Sequence, residues 1–322
     1  MIFAALALGI VQTASAPLFR DPIYDGAADP IVIYNPLVKK WWMFYTQRRA
    51  KLDLPGVGYC HGTDIGVAVS SNNGNSWAYK GALKLDFEPG KNTFWAPDIV
   101  KGEDGQFHMF VTYVKGTPND WSGERHILHY TSKNLWDWKF IGPLPLTSDR
   151  CIDACLFQSH GKWMLWYKDE GHSSQTFAVQ STDLFQWTPA SDPNVSKRYG
   201  EGPKVFEFGG NYWLIKDPDS GLDIYRSSNF NDWTYQGKIL EKPGIRNDDG
   251  TIGKHCDVVV SGSSAYIFYF THPHRTDPSK EDTSLFAHRR TSIQVAELKI
   301  KDGVLTCDRN ADITVNLVAP KS

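Results

Sequence analysis

ADPIVIY, at residues 28–34, recurs in outline as APDIVKG (96–102), IDACLFQ (152–158) and EGPKVFE (201–207). Each of these segments is short and apolar and carries an acidic residue near its start. A fifth segment, HCDVVVS (255–261), has the same pattern but opens on a histidine. The period-2 patterning within these runs predicts β-strands rather than helices.

Each opening segment starts a repeat of four short strands. Two more strands follow it, such as KWWMFYTQ (40–47) and DIGVAVS (64–70) in the first repeat. The repeat then closes on a Ser-to-Trp motif and a fourth strand, as in TSKNLWDWKFIG (131–142). Four strands in a period of about 45 to 65 residues are typical of a β-propeller blade.

The chain is therefore predicted to be an all-β protein with the fold of a five-bladed β-propeller. A β-sandwich would also contain many short strands, but it would not place an acidic residue or a histidine at the same point of each repeat. The rest of the chain, to Ser322, is expected to add edge strands or a segment that closes the ring. The five blades are predicted at residues 26–85, 93–143, 150–190, 199–240 and 252–300.

Residues 1–16, MIFAALALGIVQTASA, are predicted to be a signal peptide. Their apolar run ends in small residues and is too short to span a bilayer. Residues 17–322 are then expected to form a single domain that is secreted or periplasmic and contacts no membrane. Because the formal net charge is −2 and the acidic and basic residues are well mixed, no nucleic-acid partner is expected either. The oligomeric state stays open.

The cysteines and the aromatic residues each allow two interpretations. The five cysteines include no CxxC pair, which argues against a zinc site, and small buried hydrophobes are the expected role. Their disulfide pairing stays open. With 12 Trp and 13% aromatic residues, the chain is rich in flat apolar side chains. These rings serve either a β-rich core or a sugar-binding surface, and the sequence is compatible with both.

The repeat also predicts a site. The innermost strand of each propeller blade lines the central channel, so residues near the start of those strands gather at one mouth. Carboxyl groups crowded in this way shift each other's pKa values apart, as acid/base catalysis requires. Any one of them alone is more often a turn residue. One residue per blade is expected at the mouth: Asp29, Asp98, Asp153, Glu201 and His255.

Together these openings resemble glycoside hydrolase family 43 and the related five-bladed propeller glycosidases, over nearly all of residues 17–322. The resemblance implies an inverting glycoside hydrolase domain. It assigns Asp29 as general base, Glu201 as general acid, and Asp153 as the residue that orients the acid and tunes its pKa. The motifs that carry the resemblance are Ala28-Asp29-Pro30, Trp95-Ala96-Pro97-Asp98, Ile152-Asp153, Glu201-Gly202-Pro203 and His255.

The resemblance further implies residues that bind substrate or lie near an ion. His255 matches a channel histidine that often lies beside a water-bound ion, commonly a structural calcium, although no cofactor is required and no direct metal ligand is expected. Arg275 matches an arginine that contacts the sugar. Phe94 and Trp95 are expected to form a wall or a sugar platform, with core packing as the alternative. Asp98 is expected to bind a sugar hydroxyl or else to stabilise a turn.

The sequence departs from the family in two places. The third opening reads IDA where the family usually has IDP. The first blade contains an unusual stretch, residues 46–68, which is predicted to project over the mouth and shape the pocket. Arg48 and Arg49 in this stretch are candidates, with Arg275, for binding a sugar carboxylate or for balancing charge. Asp25 is a rival for the role of general base.

The leading hypothesis is an exo-acting hydrolase of plant or algal polysaccharide side chains, of the α-L-arabinofuranosidase or β-xylosidase type. A carbohydrate substrate is then the expected partner. One alternative is a lyase or another enzyme acting on uronate-containing glycans, which would use the arginines. Another is a carbohydrate-binding propeller without activity. Lys168, Asp169 and His172 are expected to reach the rim of the site.

Overall fold

The computed structural model describes residues 16–230, 232–275 and 283–320, which are almost entirely β-structure. Nearly all of the predicted signal peptide, residues 1–16, lies outside the described residues. Among the described residues, no helix is long and apolar enough to cross a membrane. The strands fall into five separate sheets, which confirms the predicted five-bladed β-propeller.

Four of the five sheets are antiparallel meanders of four consecutive strands. After a short strand, β1 (Leu18–Phe19), the first blade holds β2 (Ala27–Asn35), β3 (Lys40–Gln47), β4 (Asp64–Ser70) and β5 (Ala78–Ala82). The second holds β6 (Thr93–Lys101), β7 (Phe107–Val114), β8 (Arg125–Ser132) and β9 (Lys139–Pro143). The third holds β10 (Cys151–Ser159), β11 (Lys162–Asp169), β12 (Gln175–Ser181) and β13 (Thr188–Ser196). The fourth holds β14 (Glu201–Phe208), β15 (Asn211–Asp217), β16 (Leu222–Ser227) and β17 (Thr234–Ile239).

The fifth blade closes the ring with both ends of the described chain. It contains β18 (Lys254–Ser261), β19 (Ser264–Thr271) and β20 (Ser292–Lys301), with a one-turn helix α1 (Phe286–Arg289) before β20. The outer edge of β20 pairs with β1 at one end and with β21 (Val304–Cys307) at the other. The segment after β21 then reaches the first blade, where Trp41 Nε1 donates to the Leu317 carbonyl at 3.0 Å. The expected closing segment is therefore present.

The Ser-to-Trp motif is the turn between the third and fourth strands of a blade. In the second blade, Ser132 Oγ accepts a hydrogen bond from the Leu135 amide at 2.9 Å, and Trp138 Nε1 donates to the Leu135 carbonyl at 3.2 Å. In the third blade, Ser181 Oγ accepts from the Leu184 amide at 2.9 Å. A short polar side chain that bonds nearby backbone favours a tight turn over continued strand, which explains why the motif recurs.

Aromatic rings fill the spaces between neighbouring blades. Phe110 of the second blade meets Trp187 of the third edge to face, with ring centroids 5.5 Å apart. Trp166 of the third blade meets Phe230 of the fourth in the same way at 5.2 Å. Burying such a ring contributes about 1.5–3 kcal/mol. Much of the tryptophan load therefore serves the core.

The cysteines also pack in the interior. Cys151, Cys155 and Cys256 are buried and Cys307 is partly buried, and no disulfide joins these four residues. Burial raises the pKa of the Cys155 thiol to about 12, so it stays protonated at neutral pH. The thiols therefore behave as the small hydrophobes that were expected.

Each of the first four innermost strands carries a bulge at the same point. The strand pairing skips two residues after Ala28, Trp95, Ile152 and Glu201. The first skipped residue has a positive φ in each of these blades: 51° at Asp29, 43° at Ala96, 60° at Asp153 and 54° at Gly202. A Cβ on Gly202 would lie 2.5 Å from the His255 ring, so only glycine fits there. The bulge turns these positions toward the channel mouth.

Hydrogen bonds between blades define a second layer below the bulges. Asp98 Oδ2 accepts from the Leu156 amide at 2.5 Å, and Asp257 Oδ2 accepts from the Val32 amide at 2.8 Å. We call the upper set the mouth layer and the set two residues further along each strand the channel layer. The mouth layer is Asp29, Ala96, Asp153, Gly202 and His255. The channel layer is Ile31, Asp98, Cys155, Lys204 and Asp257.

This register corrects one prediction. Asp98 does not share the position of Asp29, because the bulge aligns Asp29-Pro30 with Ala96-Pro97 and leaves Asp98 two residues deeper. Glu201 lies one residue before the bulge of the fourth blade. Asp153, by contrast, is the first residue of the bulge in the third blade. The acidic residues therefore come from three different positions of the repeat.

Candidate active site

A cavity of about 360 Å³ opens at the mouth of the channel. Its volume is within the range of about 300–1,000 Å³ that is typical of small-molecule sites. Asp29, Asp153 and Glu201 line it together with His255 and Trp95. Since the three carboxyl groups come from the first, third and fourth blades, the fold brings together side chains that are far apart in the sequence.

Two predicted substrate-binding residues lie elsewhere. Phe94 packs its ring against Tyr113, with centroids 5.6 Å apart, in the core between the first two blades. It is the neighbour of Trp95 on β6, and successive side chains of a strand point to opposite faces. Asp98 lies in the channel layer and does not line the cavity. Neither residue is placed to touch a ligand in this cavity, so both expectations are corrected.

Two further candidates from the sequence also point away from the cavity. Asp25, the rival general base, is buried, and its Oδ2 accepts from Arg290 Nε at 2.8 Å. Arg49 donates from Nη2 to the Gly58 carbonyl at 3.0 Å. Both therefore support the loops around the mouth, and neither lines the cavity itself.

Asp29 and Asp153 face each other across His255. His255 Nδ1 is 3.6 Å from Asp29 Oδ1 and 3.9 Å from Asp153 Oδ2. Asp153 Oδ2 also accepts from the Gly202 amide at 3.0 Å. Arg48 Nη2 lies 3.4 Å from both carboxylate oxygens of Asp29. This side of the cavity therefore holds two carboxyl groups with one imidazole between them and one guanidinium behind.

Glu201 lies among ammonium groups. Lys168 Nζ is 3.0 Å from Glu201 Oε2 and 3.3 Å from Glu170 Oε1. Burial opposes ionisation of Glu201, but the charges of Lys168 and Lys254 outweigh it and lower the pKa of the Glu201 carboxyl. Without a bound substrate, Glu201 is therefore expected to be an anion at neutral pH.

Asp153 shows the opposite preference. Burial, reinforced by the charges of Glu201 and Asp29, raises its pKa to about 7, although His255 and Lys168 act in the other direction. No lysine or arginine contacts its oxygens within the described structure, and the only donated hydrogen bond comes from the Gly202 amide. The site therefore holds one carboxyl group whose pKa is raised to about 7 beside another whose pKa is lowered.

The first-blade insertion forms one wall of the cavity. Its ends belong to β3 and β4, while residues 48–63 project over the mouth and contribute Arg48, Tyr59 and Cys60 to the lining. Arg275 of the fifth blade donates from Nη2 to the Tyr59 hydroxyl at 2.6 Å and also lines the cavity. The insertion is thus joined to the fifth blade, and this side of the mouth is closed.

Several lining residues were not identified from the sequence. Trp121 and Tyr199 line the rim with 46% and 48% of their surface exposed, and Lys254 and Arg125 lie deeper. Trp121 belongs to the loop between β7 and β8, outside the repeated strands, so the repeat gives no signal for it. Of the three residues expected to reach the rim, Lys168 lines the cavity, whereas Asp169 and His172 bond each other beside it.

The channel layer below His255 does not fit a directly bound calcium ion. Calcium takes six to eight oxygen ligands. In the channel layer, however, the Lys204 ammonium already lies between Asp98 and Asp257. A second acidic group, Glu201 with Asp217 and Asp219, has its oxygens within 4.8 Å of one another, but Lys254 bonds Asp219 there. In the described structure, a lysine therefore bonds a carboxylate both in the channel layer and in the group of Glu201, Asp217 and Asp219.

Comparison with known proteins supports the fold. Neither a protein-family model nor a curated protein matches this chain. Among solved structures, a thermostable family-43 glycoside hydrolase is 21% identical with a TM-score of 0.67, covering 94% of this chain and 99% of that one. A family-43 β-xylosidase/α-arabinofuranosidase from a compost microbial metagenome, solved with xylotriose in a calcium-free form, is 16% identical with a TM-score of 0.66. That match covers 92% of this chain and 97% of the other.

A third structure widens the range of activities found on this fold. An exo-1,5-α-L-arabinanase from a bovine ruminal metagenomic library is 15% identical, with a TM-score of 0.61, covering 90% of this chain and 99% of that one. The chain therefore has the five-bladed propeller fold of family-43 glycoside hydrolase structures over nearly the whole length of each.

Proposed function

We propose that this protein is a glycoside hydrolase that acts with inversion. The observation that carries the proposal is the meeting of Asp29, Asp153 and Glu201, from three blades, in one sugar-sized cavity. Glycosidic cleavage needs one carboxyl group that gives a proton and another that takes one, and the crowding of these groups with their charged neighbours shifts the pKa values of Asp153 and Glu201 apart. The fold shared with family-43 structures supports the same reaction.

The roles proposed for the three carboxyl groups follow the resemblance. Glu201 protonates the glycosidic oxygen while Asp29 removes a proton from water. The water oxygen bonds to the anomeric carbon on the face opposite the leaving group, and the carbon–oxygen bond to that group breaks. Asp153 orients Glu201 and tunes the pKa of its carboxyl group. Because the charge of Lys168 favours the anion of Glu201, substrate binding must raise the pKa of Glu201 before it can give the proton.

The proposed substrates are side chains of plant or algal polysaccharides, of the α-L-arabinofuranoside or β-xyloside type. Exo-action is supported by the insertion, whose Tyr59 is bonded to Arg275 and closes one side of the mouth. The structural neighbours include a β-xylosidase/α-arabinofuranosidase and an exo-arabinanase, which is the range of activities proposed here.

A uronate-directed lyase has weaker support. Arg48 lies 3.4 Å from the Asp29 carboxylate, and Arg125 lies 3.1 Å from Glu170. These guanidinium groups are thus already matched by carboxylates of the site, which favours charge balance over binding of a sugar carboxylate.

A screen of nitrophenyl glycosides and polysaccharides with product identification tests the proposal. We expect release of one sugar whose anomeric configuration, followed by NMR, is inverted. We expect Asp29→Asn to lower kcat about 10³-fold with the fold intact by circular dichroism. Full activity of that variant would reject the mechanism. An unsaturated product absorbing in the ultraviolet would indicate a lyase, and binding without turnover would indicate a carbohydrate-binding protein.

We also propose that the protein is exported, to the periplasm or the medium. The support is the apolar run and the small residues at Ala14-Ser15-Ala16. N-terminal sequencing of protein from its native host is expected to start near residue 17. An intact start at Met1 in a cytosolic fraction would contradict this.

A further inference from the structure

The channel layer contains one cation among two buried carboxylates. Lys204 Nζ is 2.7 Å from Asp257 Oδ1 and 3.4 Å from Asp98 Oδ1. The side chains of Asp98 and Asp257 are 6% and 2% exposed. In the part of the chain that is described, this ammonium group is the charged partner of Asp257 Oδ1, so it is what compensates that charge. Two buried carboxylates without a cation would be strongly destabilising.

The same cluster connects all five blades. Lys204 belongs to the fourth blade, Asp98 to the second and Asp257 to the fifth. The second oxygen of Asp98 accepts from Leu156 in the third blade, and the second oxygen of Asp257 accepts from Val32 in the first. A single positive charge therefore holds together a set of contacts that runs around the whole ring.

An additional ion has no vacant ligands in this layer. Each carboxylate uses one oxygen for a backbone amide and turns the other toward Lys204. The remaining members are the Ile31 side chain and the Cys155 thiol, and Cys155 Sγ already accepts from the Val205 amide at 3.2 Å. A hard cation such as calcium prefers oxygen to a protonated thiol.

We propose that the ammonium group of Lys204 is a built-in cation of the propeller channel and that it takes the place of a bound metal ion. The protein then keeps its fold and its working site without calcium in the channel. A tethered cation cannot be removed by a chelator or diluted away, so the stability of this propeller is independent of calcium.

The first test uses the unmodified full chain. We expect less than about 0.1 calcium per chain after purification, measured by elemental analysis, and a Tm that is the same within about 1 °C in EDTA and in millimolar CaCl₂. A stoichiometric ion, or a Tm that falls in EDTA and returns with calcium, would overturn the proposal.

Variants of Lys204 test whether the lysine stands where an ion would. Lys204→Met fills the space without charge, and we expect its Tm to fall by about 10 °C with no response to calcium. Lys204→Ala leaves room as well as the two carboxylates, so its lowered Tm is expected to rise when calcium is added. If calcium does not stabilise the alanine variant, or if the methionine variant is as stable as the parent, the proposal fails.

A third variant keeps the test decisive if the single changes do not fold. Lys204→Met combined with Asp98→Asn and Asp257→Asn removes the cation and both anions together. We expect this triple variant to fold and to recover at least half of the Tm lost in Lys204→Met, because no uncompensated charge is left in the channel. Failure to recover would show that the lysine acts through packing rather than charge.

Discussion

Lys168 and Lys204 make the same kind of contact in two different surroundings. Lys168 lies between Glu170 and Glu201, at 3.3 and 3.0 Å. Lys204 lies between two aspartates one layer below, at 3.4 and 2.7 Å. The Glu201 side chain is 30% exposed to the cavity, whereas that of Asp257 is 2% exposed. A ligand can therefore reach the first cluster, while only the fold can use the second.

The repeat itself shows that the mouth cluster is unusual. The residue of the second strand that faces the bulge accepts a backbone hydrogen bond from the next blade in three cases. Thr46 accepts from Ala96 at 2.9 Å, Thr112 from Asp153 at 3.0 Å, and Asp217 from His255 at 3.0 Å. In the third blade this position is Lys168, which has no acceptor and contacts Glu201 instead. Departures from a local rule are expected at functional sites.

The largest effect is expected from Glu201→Gln in the mouth. Loss of the proton donor is predicted to lower kcat by about 10³-fold on a glycoside with a poor leaving group and by less on a nitrophenyl glycoside. The Tm is expected to stay within a few degrees of the parent, because the carboxyl faces the cavity. Glu207→Gln, a change at an exposed residue of the same strand, is the matched control. Equal loss on both substrates would argue against the role of proton donor.

A substitution in the channel layer is expected to lower stability and leave activity unchanged. Asp98→Asn leaves Lys204 with one anionic partner, so we predict a loss of about 1–3 kcal/mol in the free energy of unfolding, measured with urea. The folded fraction is expected to keep the parent kcat and KM, since Asp98 does not line the cavity. A drop in kcat without a drop in stability would show that Asp98 contributes to substrate binding or catalysis rather than to the fold.

The charge of Lys168 is expected to set the pH range of activity. If Glu201 is the general acid, the rate falls as pH rises through its pKa, which Lys168 holds low. Lys168→Met removes that ammonium group and raises the pKa of Glu201, so the descending limb of the kcat profile is predicted to move to higher pH by about one unit. Lys168→Arg keeps the charge and serves as the control. An ascending limb that moves instead would mean that Glu201 acts as an anion.

Sequence periodicity was sufficient for the blades but not for the depth of each side chain. The repeat gave five inner strands and predicted the meeting of Asp29, Asp153, Glu201 and His255. It placed Asp98 in the mouth layer, although Asp98 lies in the channel layer, because acidic residues were aligned with each other. Alignment on Pro30, Pro97 and Pro203, which share the bulge, places Ala96 at the mouth.

Other parts of the site depend on contacts that no local pattern encodes. In the sequence, Lys168 is one polar residue near the end of a strand. Only the position of the next blade shows that it reaches Glu201. Phe94 and Trp95 have the same chemistry in the sequence, and the pleat of β6 decides which of them faces the cavity. Trp121 lies in a loop that the repeat does not describe.

The smallest effect is expected at the rim of the cavity, which belongs to neither lysine cluster. The Trp121 ring is 46% exposed, with its centroid 6.0 Å from that of Trp95, and its carbonyl accepts from Arg125 Nη2 at 2.6 Å. A flat ring fixed in this way suits a sugar beyond the one being cleaved. Trp121→Ala is therefore predicted to raise KM about 3- to 10-fold for a long oligosaccharide and less for a disaccharide, with kcat unchanged. As a control, Phe94→Leu changes an aromatic residue in the core between blades and is expected to leave both KM values unchanged. If Trp121→Ala raised KM equally for both substrate lengths, the Trp121 ring would lie beside the cleaved sugar instead.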